Sequence, residues 1–575
     1  MPRSEQLDRR WRVEPSPDEA TATALAAALN VPLSFARLLV QRGYDTEAEA
    51  RRFLRPAADH LHDPALLPGM AAAVERLARA IREGETMFLH GDYDVDGQCA
   101  TAILTRVIRR AGGRAVPFVP HRLRDGYDLS DAGVRAARAA GAHVLVTLDC
   151  GTTALEHVRA ARAAGMDVIV VDHHLPGPEW PDAVAFVNPR RPDNAYPFPD
   201  LCGAGLAWKL GLALAGATGV GATFPWHLLD LAALATVADL VPLVGENRVI
   251  VRLGLKMMRT TKWPGLAALL AEARLTDTTP RAGQIGFIVA PRLNAAGRIG
   301  DANDGLTLLL SDEPAEAARL AAQLSRQNAE RQAIDQRTLE EALEQLDRDF
   351  DPARDIGVVL AREGWHPGVI GIVASRVVER IARPTFLVAL DGEVGKGSGR
   401  SAGRCNLHAA LADCAGLLEK WGGHRMAAGL TVRRDRLAAF TDAFNRACAA
   451  QIGHDELVPT QRVDSVLPLA ELTLDFERLV RALEPTGMGN PGPVFGVEGV
   501  SLAGAPRAIG EQHCRFTITD GRARLRTVAW GGRDEVTRIL GAAGGPLRVA
   551  VRLERDDWQG QEQLEGRLVA LAGAA

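Results

Sequence analysis

The sequence predicts an α/β protein: a parallel-sheet domain and a second α/β domain joined by one long helix, followed by a small β-barrel. Three observations carry this. From about residue 70, short apolar runs alternate with helical stretches, the pattern of a parallel sheet. After Pro314, "AEAARLAAQLSRQNAERQAIDQRTLEEALEQLDRDF" runs without Gly or Pro and keeps apolar residues at helical spacing. From about residue 460 the chain becomes strand-rich with Gly turns, as in "VFGVEGVSLAG", "CRFTITDG", "ARLRTVAW" and "LRVAVRLERDDW". A chain of 575 residues is too long for one core.

Taken in order, residues 1–60 read as a helical N-terminal segment, in which "ALAAALNVPLSFARLLVQRG" has helical spacing and stops at Gly43. The sheet domain spans 61–312. Its strands are "ETMFLHGD", "RAVPFVP", "HVLVTLDCG" and "DVIVVDHHLPG", with "AGVRAARAAG" and "ALEHVRAARAAG" as helices between the later ones. Residues 313–350 form the connecting helix. Within 351–455 the strands "DIGVVLA" and "PTFLVAL" flank the helix "GVIGIVASRVVERI", and 456–575 form the β-rich end.

Composition excludes some classes. Hydrophobic residues make up 47% and charged ones 24%, ordinary for a globular protein, and the net charge of −4 leaves no global basic footprint. Nucleic-acid binding must then come from local patches. Only five of the 67 basic residues are Lys, so a single Arg carries little weight as a site signal. The seven cysteines form no CxxC pair, which suits reduced thiols in the cytoplasm. The N-terminus is polar and lacks the apolar core of a signal peptide. The most apolar stretch, "GAGLAWKLGLALAGATGVGATF", is interrupted by Lys209 and suits a buried helix better than a membrane span.

Chemistry concentrates where apolar strands end. "MFLHGDYDVDG" sets His90, Asp92, Asp94 and Asp96 together, Asp149 ends "HVLVTLD", and Asp172-His173-His174 ends "DVIVVDHH". In a parallel sheet these clusters meet on one edge. Crowded carboxylates repel one another unless a cation joins them, and carboxylate with some imidazole suits Mg²⁺ or Mn²⁺. Zinc is disfavoured because Cys150 follows Asp149 in an extended chain and faces the other way. The ligand inventory exceeds one ion and suggests two, about 3.5–4 Å apart, with the central Asp149 as bridge. For the same alternation reason His173 and His174 do not bind the same ion. Asp239, isolated in "LAALATVADLVPL", is costly there unless paired or metal-bound. Asp after a strand also serves as a helix N-cap or turn residue, and Asp92 is assigned only a capping or hydrogen-bonding role.

The block "HGDYDVDG … VTLDCGTT … VVDHHLPG … ATVADLV" resembles the DHH phosphoesterase superfamily. "GKGSGRSAGRCNLHAAL" and "GGHRMAAGL" resemble its associated second domain (DHHA1), and the C-terminal region resembles the family's oligonucleotide-binding (OB) barrel. "APRLNAAGRIGDA" and "EGWHPGVIGIVASR" narrow the resemblance to the RecJ single-strand-specific exonucleases, over about residues 60–575. This resemblance implies two Mn²⁺ or Mg²⁺ ions, one held by His90, Asp94 and Asp149 and the other by Asp96, Asp149, His173 and Asp239. It implies that His174 contacts the scissile phosphate while Asp172 orients an imidazole. The implied reaction is 5′-to-3′ degradation of single-stranded DNA to mononucleotides in recombination and repair.

By the same resemblance Arg122, Ser398 and Arg400 serve the 5′ end, while Asn294, Arg298, Gly423 and His424 line the channel. Phe495, Phe516, Trp530 and Trp558 are candidates for stacking on bases, with core packing as their other role. Single-strand-binding protein and a RecQ-type helicase are implied partners, and a monomer is expected, with no membrane association. Three residues depart from the family pattern: Arg404-Cys405 stands where a less polar pair is expected, and Asp128 where Gly is expected. Competing readings are a DHH oligonucleotide or cyclic-dinucleotide phosphodiesterase, which is shorter and lacks the barrel, and an inactive DNA-binding scaffold that has lost its ligands.

Overall fold

The computed structural model describes residues 9–573 apart from 123, 127, 277, 404, 454–456, 458, 543–544 and 557–561. The described residues begin with a strand, β1 (Arg10–Val13), that the helical reading of residues 1–60 does not contain. The helical run up to Gly43 is two helices, Glu19–Leu29 and Leu33–Gln41. Asn30 caps the first in the left-handed region (φ 54), and Pro32 cannot continue it.

The chain divides into two units. The first comprises Ala48–Glu330 together with Leu483–Gly492. Its sheet is β2 (Thr86–Gly91), β3 (Arg114–Phe118), β4 (Val144–Leu148), β5 (Asp167–Val171) and β6 (Ala185–Val187), all parallel, in the order β3-β2-β4-β5-β6. β6 is too short to give a pattern of its own. Strands buried on both faces read as unbroken apolar runs, and all five residues of β4 are buried. Helix Val95–Arg110 is buried along almost its whole length, against the sheet on one side and helices Gly203–Thr218 and Leu229–Ala238 on another. It therefore has no polar face.

Lys209, which interrupts the most apolar stretch, is fully buried in helix Gly203–Thr218. Its ammonium donates to Glu246 and to the His62 carbonyl, and the Tyr196 hydroxyl donates to the other Glu246 oxygen. A buried charge survives only with such partners. Arg248 does similar work in helix Gly245–Met258. It lies over the Phe53 ring at 3.9 Å and donates to the carbonyls of Phe53, Leu483, Glu484 and Pro485. This tethers Leu483–Gly492, which comes late in the chain, to the first unit.

The second unit takes the N-terminal residues through Glu47, Arg331–Ala482 and Pro493 onward. The connecting helix is the single 36-residue element Pro314–Asp349. A five-stranded sheet follows: β7 (Val358–Glu363), β8 (Thr385–Asp391), β9 (Val394–Arg400), β10 (Leu418–Gly423) and β11 (Ala427–Arg433), in the order β10-β11-β9-β8-β7. β12 (Thr460–Val463) pairs in parallel with β1. The β-rich end holds β13 (Ser465–Val466), β14 (Phe495–Leu502), β15 (Arg507–Ile509), β16 (His513–Thr519), β17 (Arg524–Ala529), β18 (Leu547–Asp556) and β19 (Gln563–Gly573). Their order is β13-β14-β18-β19-β17-β16-β15, and β14 also pairs with β16.

All seven cysteines are free and buried. Among the described residues no single helix is long and apolar enough to cross a membrane.

Arg248→Met should leave the Phe53 and Glu484 carbonyls without this donor, while Leu483 and Pro485 keep Asn490 Nδ2. We expect a loss of about 3 kcal/mol, since each unmet buried group costs roughly 1–3 kcal/mol. An unshifted thermal unfolding curve would count against this role.

Candidate metal centre

Register brings the acids together. His90 pairs with Thr147 across β2 and β4, and Leu148 with Val171 across β4 and β5. Asp149 and Asp172 therefore leave adjacent strands at one edge. The ladder continues one residue further, with the Asp149 N–H donating to Val171 O at 2.9 Å and the Asp172 N–H to Val187 O at 3.0 Å.

Each remaining acid is placed by a helix end. Asp94 is the N-cap of helix Val95–Arg110, its Oδ1 accepting from Asp96 N at 2.9 Å and Gly97 N at 3.1 Å. The cap uses one oxygen and leaves the other for a ligand. Asp96, in the first turn, accepts from Gly203 N at 2.6 Å and Ala204 N at 2.8 Å, at the start of helix Gly203–Thr218. That helix start comes so close that a Cβ on Gly203 would lie 2.6 Å from the Asp149 Cβ, so only glycine fits. Asp239 is the C-cap of helix Leu229–Ala238. His173 Nε2 lies 3.1 Å from Asp149 Oδ1, 3.7 Å from Asp239 Oδ2 and 3.8 Å from Asp96 Oδ2.

Two triads of donor atoms lie within 4.8 Å of one another: Asp96, His173 and Asp239, and Asp92, Asp94 and Asp149. The second includes Asp92, an acid that the sequence reading left to cap or hydrogen-bond. Asp92 does not cap the helix: its Oδ1 is buried with no hydrogen-bond partner, while Asp94 takes that role. The signal was present in the sequence as the first carboxylate of the D-x-D-x-D run. His90 falls outside both triads, although its Nε2 is buried and unpartnered and its Nδ1 lies 3.6 Å from the Cys150 sulfur.

Asp172 is spent on positioning. One oxygen accepts from the backbone N–H groups of His173 and His174 and from His174 Nδ1, at 2.7, 3.2 and 2.7 Å. The other accepts from Thr152 N at 3.0 Å. Asn188 Nδ2 completes the bracket on the His174 carbonyl and the Thr152 hydroxyl. Burial alone would push Asp172 up, but the His174 bond and charge outweigh it and hold it below the usual carboxylate range. Burial likewise pushes His174 down, and the bond to Asp172 and its charge reverse this, raising it to about 9.

The other groups are shifted the opposite way. Burial first, then the neighbouring carboxylates, raise Asp92, Asp149 and Asp239 well above the carboxylate range, and raise Asp94 as well. Burial lowers His173, and lowers His90 to about 4, so both imidazoles are neutral, as ligands must be. Asp149 Oδ1 and both His173 ring nitrogens are buried without a hydrogen bond among the described residues. Asp149 itself holds a left-handed backbone (φ 62), strain of the kind found at functional sites. Orphaned oxygen and imidazole donors that repel until a positive charge joins them fit a divalent cation of the Mg²⁺ or Mn²⁺ class.

Comparison with known proteins agrees with this geometry. The DHH family N-terminal domain matches residues 86–236, the DHHA1 domain 355–450 and the RecJ OB domain 463–570. The single-stranded-DNA-specific exonuclease RecJ of Thermus thermophilus is 36% identical over 578 residues, covering 98% of this chain and 80% of that protein. RecJ of Escherichia coli is 36% identical over 559 residues, covering 93% and 95%. The chain belongs to the RecJ family. The crystal structure of T. thermophilus RecJ in complex with Mn²⁺ superposes with a TM-score of 0.84 at 33% identity, over 98% of this chain and 80% of that one. The same protein's complex with Mg²⁺ gives 0.79 at 32% identity, over 98% and 79%.

The substrate residues expected from the RecJ resemblance fall into two groups, one in each unit. In the first unit Asn294 Oδ1 accepts from Val95 N at 3.3 Å, bracing the turn that carries Asp94 and Asp96. The Arg122 guanidinium lies 5.1 Å from the centre of the Tyr93 ring, and both Arg122 and Arg298 act electrostatically on Tyr93. Tyr93, set between Asp92 and Asp94, is a neighbour of both cations that the sequence reading missed. In the second unit Arg400 Nη1 donates to Ser398 Oγ at 3.2 Å. Register aligns Gly423, Ala428 and Gly399 in one row and Gly422, Gly429 and Ser398 in the next, leaving the backbone there almost bare of side chains. His424 is exposed at the β10–β11 turn. Of the aromatic candidates, Phe495 and Phe516 are core residues, and Trp530 is half exposed with its ring edge-on to His513. Trp558 and Arg404 lie outside the described residues, and Cys405 is buried.

The raised acids predict how the metal-free protein responds to pH. Their folded values exceed the unfolded value near 4, so their stabilising contribution is complete below about pH 4 and is lost as pH rises through the raised values. Asp149→Asn should therefore raise the melting temperature of the chelator-treated protein at pH 7–8 by about 2–4 °C per kcal/mol of repulsion relieved. It should also shrink the stabilisation produced by Mn²⁺. Scanning fluorimetry with and without Mn²⁺ decides; a variant less stable than wild type without metal would contradict the repulsion.

Proposed function

We propose that this chain is a metal-dependent exonuclease acting on single-stranded DNA from its 5′ end and releasing mononucleotides. The observation that carries it is the buried acid and imidazole cluster at the carboxyl edge of β2, β4 and β5, on a chain belonging to the RecJ family. All three domain families match, and every acid and imidazole of the expected set is present. A shorter phosphodiesterase or a scaffold that has lost its ligands therefore has no support.

Asp94, Asp96, Asp149, His173 and Asp239 would hold two divalent ions, Mn²⁺ or Mg²⁺, with His90 or Asp92 completing the first site. Such a pair makes a nucleophile of water at neutral pH and stabilises charge on the attacked phosphate. The chain's own groups do the rest. Asp172 grips Nδ1 of His174 and favours its protonated form, so His174 would offer a proton to a phosphate oxygen. Asn294 keeps the Asp94–Asp96 turn in place. Arg122 and Arg298 in the first unit and Ser398, Arg400, Gly423 and His424 in the second contact the strand. Arg planes and bare backbone suit phosphates. Single-strand-binding protein and a RecQ-type helicase, which coat and generate single strands, are the proposed partners of a cytoplasmic monomer.

A gel assay with a strand labelled at its 3′ end tests this in Mn²⁺ and in chelator, beside a blunt duplex and a 5′-blocked strand. We expect progressive 5′ shortening of the free single strand only, and none in chelator. Asp149→Ala should cost more than the roughly 10- to 100-fold typical of residues behind the ligands. Cleavage confined to fragments of a few nucleotides would replace the reading with a small-substrate phosphodiesterase.

A further inference from the structure

Asp128 occupies a position whose backbone favours glycine. Its φ is 71, in the left-handed region. A side chain kept there at the cost of strain must gain something elsewhere, and the gain is visible. Asp128 Oδ1 accepts from Gly151 N at 2.7 Å and Leu129 N at 2.8 Å, and Oδ2 accepts from the Thr153 hydroxyl at 2.9 Å. The bonds to Gly151 and Thr153 reach out of its own loop into the turn that follows Asp149.

That turn is itself strained. Asp149 has φ 62 and Gly151 φ 102, and a non-glycine residue keeps such a conformation only where its surroundings over-determine it. Asp172 and Asn188 hold the middle of the turn, at Thr152 N and Thr152 Oγ1. Asp128 holds the residues on either side of it. The loop supplying Asp128 also carries Arg122, six residues earlier.

We propose that Asp128 is a positioning residue, a latch from the Arg122 loop that sets the Asp149 carboxylate for metal. The proposal rests on the metal-dependent reading above. Glycine at 128 would satisfy the backbone but leave the Gly151 N–H and the Thr153 hydroxyl without this acceptor. Two of its three bonds thus serve the Asp149 turn, and the third, to Leu129 N, stays within its own loop.

The test uses the full chain, stripped of metal, as wild type, Asp128→Gly, Asp128→Asn and Thr153→Val. Mn²⁺ alone is titrated calorimetrically without DNA, and the melting temperature of each metal-free sample is recorded. Asp128→Gly should weaken Mn²⁺ binding about 10-fold, the lower end for residues that act through a ligand. Its metal-free melting temperature should stay near wild type, because relief of the φ strain offsets the buried Gly151 N–H left unmet. Asp128→Asn keeps an acceptor for Gly151 N–H and should stay within about threefold of wild type, with Thr153→Val between the two. Wild-type Mn²⁺ affinity in Asp128→Gly would overturn the latch. So would equal losses of affinity and melting temperature in the Gly and Asn variants, which would mark a merely structural residue. A wild-type chain that takes no Mn²⁺ would overturn both the latch and the metal-dependent reading. One that binds Mn²⁺ but leaves single strands intact would overturn only the nuclease, with the titration still deciding the latch.

Discussion

The first unit is organised around a repulsion. Asp92, Asp94, Asp96, Asp149 and Asp239 converge where the sheet ends, with Asp92, Asp96 and Asp149 almost wholly removed from water. Burial makes each negative charge costly, and each neighbour makes the next one more so. The carboxyl groups of Asp92, Asp94, Asp149 and Asp239 are raised accordingly, and a divalent cation bound there would relieve the repulsion. Stability and chemistry are opposed at this point: the arrangement that binds metal best is the one that weakens the metal-free fold most.

Much of the remaining structure keeps those acids from moving apart. Asp94 caps one helix and Asp96 holds the first amides of another, so two helix starts with their positive ends are fixed against the cluster. Gly203 allows the second of these to reach Asp149 at all. Behind the edge, Asp172, Asn188 and Asp128 occupy polar atoms of Gly151, Thr152 and Thr153, so the turn after Asp149 has few ways to relax. Away from the site, the Lys209–Glu246 pair and the Arg248 grip tie distant segments into the same unit. In each case a buried charge is tolerated because several partners meet it.

The second unit presents a different surface. β9 and β11 place glycine and alanine side by side beside Ser398 and Arg400, leaving backbone, one hydroxyl and one guanidinium along these rows. Backbone with few side chains suits contact with a phosphodiester chain without readout of its bases.

By itself the sequence determined the α/β class, the four longer strands of the parallel sheet, the uninterrupted connecting helix and the set of acids and imidazoles, because each is a local pattern. Periodicity marks a helix or strand wherever burial is one-sided or complete, and a carboxylate at the end of an apolar run announces itself. Only the tertiary structure decided which oxygens of these acids hydrogen bonds occupy and which they leave open. Asp92 and Asp94 look alike in the sequence, and their roles separate once the helix start claims Asp94 as its cap and leaves the Asp92 oxygen orphaned. The split at Asn30, the pairing of β1 with β12 and the reach of Asp128 to Gly151 were likewise hidden. Each depends on a backbone conformation, or on a partner distant in the chain, and neither leaves a period or a composition to read.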